Sequence, residues 1–219
     1  MKEYFDVLRN CPLFYHINEA DYGALLACLG AKVEYFDKKY TIMAEGSAPK
    51  VIGIMLRGSA QIVRVDFYGN RTIVAGVAPS EVFGEAFACA ELSMLPVDIV
   101  ANESCEVMLI DCNRMMHSCT NACGFHQQLI FNLMKDLASK NVQFHQKMEV
   151  TSKRTTREKL MAYLMIQAKK AGNRRFEVPF DRQELADYLE VDRSGLSAEI
   201  SKLRKEGVLM CYKNLFELL

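Results

Sequence analysis

No run of about 18 uncharged apolar residues occurs in this 219-residue chain, so no segment reads as a membrane-spanning helix. Its start, MKEYFDVLRN, lacks the basic residues and apolar stretch of an export signal, so a cytoplasmic protein without a membrane partner is expected. In that compartment the eight cysteines read as reduced thiols rather than as a disulfide framework. A nucleophile elbow, a phosphate-binding glycine loop and a metallohydrolase helix motif are all missing. None of His16, His117, His126 and His145 has a carboxylate at a spacing that recommends a catalytic pair, so no enzyme is expected. Net charge is absent too, with 27 Lys and Arg against 27 Asp and Glu.

What is present is a globular composition, half apolar and a quarter charged, in a chain long enough for one sizeable domain or two small ones. The neutral total conceals an asymmetry. From Thr151 onward there are 14 basic and 10 acidic residues, which leaves 13 and 17 for the first 150. A modestly basic C-terminal module on a neutral chain suits a polyanionic partner.

The chain carries three kinds of text. Residues 32–111 hold short β-branched and apolar runs (KVEYF, YTIMA, VIGIML, AQIVRV, RTIVAGV, VDIVA, CEVMLI) separated by turn residues, with YGN at 68–70 as a hairpin signal. This rhythm predicts an antiparallel β-roll or barrel. Amphipathic helices are expected before it, one of them running from an Asn18 cap to a Gly30 stop.

From about Ala122 to Thr151 a single long helix is predicted, with Ile130, Met134, Leu137, Asn141, Phe144, Met148 and Thr151 recurring at alternating spacings of four and three. That is a coiled-coil seam with one polar residue, Asn141, where it can fix register. A helix of about 30 residues spans about 45 Å, too long for a small β-roll to cover, so a second copy of the chain is the expected partner. The alternative is a core helix packed within one chain.

In the tail, TTREKLMAYLMIQAKKAG reads as a helix stopped by Gly172, and RRFEVP as a short strand. A helix follows, with Asp181 and Glu184 in capping-box positions and Leu185, Ala186 and Leu189 on its apolar face. After the tight connection EVD, capped by Asp192, comes a second helix with Leu196, Ile200 and Leu203 inward and Gly207 at its end. VLMCYKNLFELL closes as a hairpin turned at Lys213 and Asn214. Two short helices, a tight turn and a hairpin describe a winged helix-turn-helix. In such a module the recognition helix, 193–205 here, presents its N-terminal residues to base edges in a major groove. Those residues are Arg193, Ser194, Ser197 and Ala198, with Arg193 suited to bidentate contact with guanine. Arg182, Gln183, Lys202, Arg204 and Lys205 are placed to meet phosphates of double-stranded DNA. The alternative is a basic helix that is merely solvated.

The order of these elements resembles the cyclic-AMP receptor/FNR family of bacterial transcription regulators. The resemblance covers essentially the whole chain and is carried by MLRGSAQIVRVDFYGNRTIVAGVAPSEVFGE (55–85) and RQELADYLEVDRSGLSAEISKLRKEGVL (182–209). It implies an α+β protein. An N-terminal antiparallel β-roll of the cyclic-nucleotide-binding type (1–118) leads to a long dimerisation helix (119–151) and a C-terminal winged helix-turn-helix (152–219). It further implies a homodimer on a palindromic DNA site, contact with RNA polymerase as activator or repressor, and an effector felt where the β-roll meets the long helix. In the cyclic-nucleotide members a Gly-Glu pair is followed at fixed distance by Arg-Ser or Arg-Ala, and the Arg neutralises the cyclic phosphate. Here Gly84, Glu85 and Ala86 keep the first part, but the Arg-Ser positions hold Leu95 and Pro96, with no cation and, at Pro96, no backbone N–H. The Thr-Ser pair that meets the base corresponds to Lys140 and Asn141. Burying a phosphate without a paired charge is costly, so an effector other than cyclic AMP is expected and no cofactor is assigned. Gly84 and Glu85 can equally serve a turn and a structural hydrogen bond.

Two further readings remain. CNRMMHSCTNACGFH places Cys112, His117, Cys119, Cys123 and His126 within 15 residues, and Cys119, Cys123 and His126 share a helical face. Soft ligands of this kind can hold zinc, serve haem or act as a thiol redox sensor, although buried reduced cysteine also packs as a small apolar residue. The other is a β-roll association module without DNA binding, which leaves the basic tail unexplained.

Overall fold

The computed structural model describes residues 2–65, 67–68, 71–117 and 124–219, with the side chains of residues 71, 72 and 124 left aside. Its helices are α1 (Phe5–Asn10), α2 (Tyr22–Cys28), α3 (Glu85–Cys89), α4 (Cys112–Met116), α5 (Gly124–Thr151), α6 (Thr156–Ala171), α7 (Arg182–Leu189) and α8 (Arg193–Lys205). The strands are β1 (Lys32–Phe36), β2 (Thr41–Met43), β3 (Val51–Arg57), β4 (Ala60–Val65), β5 (Arg71–Val77), β6 (Val82–Phe83), β7 (Asp98–Ala101), β8 (Cys105–Asp111), β9 (Arg175–Glu177), β10 (Leu209–Tyr212) and β11 (Leu215–Leu218). The chain forms two compact units, 1–139 and 140–219, with the division inside α5.

The first unit is an antiparallel β-roll of two four-stranded sheets, ordered β1-β8-β3-β6 and β2-β7-β4-β5. All seven expected strands form. The two-residue β6 was not anticipated, being too short to show a period. β3 reads as an unbroken apolar run because both its faces are covered. Ile52, Ile54 and Leu56 enter one core with Met108 and Ile110 of β8, the N-terminal helices, and Leu129 and Leu133 of α5. Met55 instead joins Phe36, Met43, Phe83, Ile99, Val107 and others in the core between the sheets. The β3–β4 turn depends on Gly58, whose φ is +78° and whose absent Cβ would lie 2.6 Å from the Ser104 carbonyl oxygen. Of the hairpin signal at 68–70, Gly69 and Asn70 lie outside the described residues.

α5 carries two apolar faces, which a single-seam reading of the sequence did not separate. Leu129 and Leu133 are buried, while Met134, Phe144 and Met148 are 57%, 61% and 64% exposed. Buried between Leu129 and Leu133 is Asn132, whose amide donates to the carbonyls of Leu13 (2.8 Å) and Tyr15 (2.7 Å). One side chain therefore satisfies two acceptors of the N-terminal segment and fastens it to the helix.

The second unit packs α6, α7 and α8 with the end of α5 over a three-stranded sheet ordered β10-β11-β9, around Val150, Leu160, Tyr163, Leu164, Leu185, Leu189, Leu203 and Phe216. α6 is closed at its start by a capping box between Thr155 and Glu158, and ends at Gly172 in the left-handed region. Among the described residues no helix is long and apolar enough to cross a membrane.

Candidate DNA-binding interface and effector cassette

The helix-turn-helix is built from its caps outward. Asp181 accepts from the N–H groups of Gln183 (2.7 Å) and Glu184 (2.9 Å), and the Glu184 carboxylate accepts in turn from the Asp181 N–H (2.7 Å). The far end of α7 turns at Glu190 with φ +54°, and Lys159 of α6 donates to the Leu189 (3.2 Å) and Glu190 (3.3 Å) carbonyls there. A cation thus neutralises the carbonyl end of the helix that enters the turn. Asp192 caps α8 by accepting from the Gly195 N–H (2.9 Å) and the Ser194 hydroxyl, and these bonds hold its carboxyl below the usual carboxylate range. Leu196, Ile200 and Leu203 turn inward, which leaves Arg193, Ser194, Ala198 and Lys202 exposed on the other side, with Ser197 half-buried beside them.

The hydroxyls are committed locally: Ser194 to Asp192, Ser197 to the Arg193 carbonyl (2.9 Å) and Ser201 to the Ser197 carbonyl (2.9 Å). Their remaining lone pairs face outward as acceptors. Gln183 stands exposed at the start of α7, with its amide on Asp187 (2.8 Å). Arg182 is half-buried: its guanidinium lies over the Phe216 ring, 5.7 Å from the centroid, and donates to the Lys213 carbonyl (3.4 Å). In this arrangement Arg182 fastens the wing to α7. The wing itself is the β10–β11 hairpin with Lys213 at φ +54°, and Asn214 ties it to Glu177 (2.7 Å) and the Val178 carbonyl (3.3 Å). Sequence reasoning missed Arg157 of α6, which pairs with Glu206 (2.6 Å) and Glu199 (3.6 Å) and so braces the recognition helix from behind. No spacing rule reveals a contact between residues 49 positions apart.

In the first unit, Gly84 caps α3 at φ +77°, with Met43 Sδ 3.1 Å from where a Cβ would stand. Any other residue would be strained there. Glu85 is 5% exposed and Ala86 is exposed. Leu95 is only 2% exposed and belongs to the inter-sheet core. Its backbone is used as well: its N–H donates to the Ser47 carbonyl (2.8 Å), and its carbonyl accepts from the Gly46 N–H (2.9 Å). Pro96 is exposed. The position that the resemblance gives to a phosphate-binding cation therefore holds packed hydrocarbon with its backbone N–H already spent. Lys140, half-buried, and Asn141, exposed, lie on α5 in the second unit. On the seam, Ile130, Leu137 and Thr151 are half-buried.

Of the cysteine and histidine group, Cys112 is buried, and burial pushes its thiol up to about 12. His117 is exposed with Nδ1 2.9 Å from the Asn113 carbonyl, and His126 is buried with Nε2 3.0 Å from the Met115 carbonyl. Cys119 and Cys123 lie outside the described residues. Among the described residues no three His, Cys, Asp or Glu side chains are grouped to hold a metal ion.

Comparison with known proteins places this architecture. Residues 33–120 match the cyclic nucleotide-binding domain, and residues 158–218 match the Crp-like helix-turn-helix domain. The chain belongs to the Crp/Fnr family. It is thus a DNA-binding transcription regulator of Crp/Fnr type, with both family domains in their usual order. Solved structures of similar fold include the c-di-GMP-responsive global regulator CLP of Xanthomonas campestris, at 15% identity and TM-score 0.60, covering 92% of this chain and 99% of that one. The catabolite activator protein of Thermus thermophilus is 19% identical with TM-score 0.51, covering 95% and 93%. DNR from Pseudomonas aeruginosa is 17% identical with TM-score 0.52, covering 100% and 95%. No curated protein sequence matches the chain.

Proposed function

We propose that this Crp/Fnr regulator works as a homodimer on a palindromic DNA site, and that an effector other than cyclic AMP controls it through the β-roll and long helix. The observation that carries the effector reading is the burial of Leu95 with its backbone N–H committed to Ser47. A phosphate at that point would displace core packing and find neither cation nor free amide. Homodimerisation is supported by the exposed row of Met134, Phe144 and Met148, apolar area that a second copy of α5 would bury. Dimer symmetry would then set two recognition helices one turn of DNA apart, and RNA polymerase would be the partner that turns binding into activation or repression.

The test is selection of a preferred site from random duplexes, followed by titration at several salt concentrations with sedimentation of the complex. Two chains per palindromic duplex are expected. Arg193→Ala should weaken the selected site by about 1 to 3 kcal/mol with little change on random DNA. An equal loss on both sequences would mean that Arg193 touches phosphate, and one chain per duplex would refute the dimer.

A further inference from the structure

Two cysteines 23 residues apart in sequence meet within the first unit. Cys89 ends α3, the helix opened by Gly84 and Glu85, and Cys112 begins α4 directly after β8. Their sulfurs are 3.9 Å apart. That is van der Waals contact; a disulfide needs about 2.05 Å, so the two sulfurs would each have to move by about 1 Å to bond. The two environments differ. Cys112 is 6% exposed and its backbone N–H is held by the Lys50 carbonyl (3.0 Å), so it is fixed at the β8–α4 corner. Cys89 is half-buried at the helix end, packed against the edge of the same core and less enclosed than Cys112.

We propose that Cys89 and Cys112 form a reversible dithiol–disulfide site that staples the cassette helix α3 to the β8–α4 corner. The oxidant is a peroxide. The Cys89 sulfur, the less buried of the two, attacks one peroxide oxygen, giving a sulfenic acid and one molecule of water. Cys89 sulfur loses two electrons and the O–O bond is broken. The Cys112 sulfur then attacks the sulfenic sulfur, the S–S bond forms, and the Cys112 thiol proton leaves with the hydroxyl as a second water. In sum, two thiols and one hydrogen peroxide give one disulfide and two waters, and a dithiol reductant reverses the change. The site stands on its own geometry and is independent of how DNA or an effector is bound.

The sequence allows a clean assay. Residues 90–111 contain no Lys or Arg, so trypsin alone leaves Cys89, Cys105 and Cys112 on one peptide, whereas adding cleavage after Glu91, Glu103 and Glu106 separates all three, and the tryptic cut at Arg114 parts Cys112 from Cys119 and Cys123. The full chain is treated with hydrogen peroxide, denatured, alkylated and digested with trypsin and a glutamyl endopeptidase together under non-reducing conditions. The expected result is loss of two alkylatable thiols of the eight, a linked pair of peptides carrying Cys89 and Cys112, and its disappearance after dithiothreitol. The melting temperature should rise by several degrees on oxidation of the wild type, because the cross-link shortens the unfolded chain, and should not rise in Cys89→Ser or Cys112→Ser. Absence of the linked pair while other cysteines oxidise would overturn the proposal and leave the two thiols as packing residues. Linkage of Cys112 to Cys105, Cys119 or Cys123 instead would overturn it as well.

Discussion

Leu95 in the first unit lies in the inter-sheet core with its amide bonded to Ser47, whereas Arg193 in the second stands exposed on the opening turn of α8. The proposed function gives both an anion to meet, an effector phosphate at the position of Leu95 and DNA at Arg193. Arg193 is the cation proposed to read DNA, and the Asp192 cap and the Arg157 pairs with Glu199 and Glu206 fix the helix that carries it. In the first unit Gly84 and Glu85 keep the family's pattern, while Leu95, at the position the resemblance gives to a phosphate-binding cation, is part of the core.

The sharpest way to break this comparison is to restore the missing cation. Leu95→Arg should cost about 3 to 5 kcal/mol in urea unfolding of the first unit, because an unpaired charge is forced into packed hydrocarbon. A stable variant that gains a thermal shift with cyclic AMP would show instead a dormant ligand site. Next in size, Asn132→Ala should destabilise by about 1 to 3 kcal/mol, since the carbonyls of Leu13 and Tyr15 lose their donor. Loss of protection in the 140–219 unit rather than in the N-terminal segment, read by hydrogen exchange, would contradict that assignment. The smallest effect near neutrality is a pH dependence. Burial raises the Cys112 pKa to about 12, above that of a free thiol, so its contribution is complete while the unfolded thiol is protonated and declines as pH rises toward that value. Wild-type stability should fall more steeply than that of Cys112→Ala in alkaline solution, and parallel curves would sink the idea.

Much of this was legible beforehand, for physical reasons that particular residues illustrate. The seven strands showed themselves by alternation between turn residues, and Asp181, Glu184 and Asp192 marked helix starts because caps are local chemistry. Lack of charge at Leu95 and Pro96 was visible, but not that Leu95 turns into the core, which depends on the sheet facing it. The a/d rhythm of α5 showed the exposed face and hid Leu129, Asn132 and Leu133, since one helix serves two partners with interleaved periods. Arg157 with Glu206, and Cys89 with Cys112, join elements far apart in sequence, and no local pattern announces such contacts.

The central claim is that a competent DNA reader is coupled to a cassette that does not hold a cyclic phosphate. Titration of a selected palindromic duplex with the full chain, with and without saturating cyclic AMP, tests it most directly. The account predicts salt-dependent, sequence-preferring binding with the same affinity in both conditions. A saturable gain in affinity with cyclic AMP would contradict it.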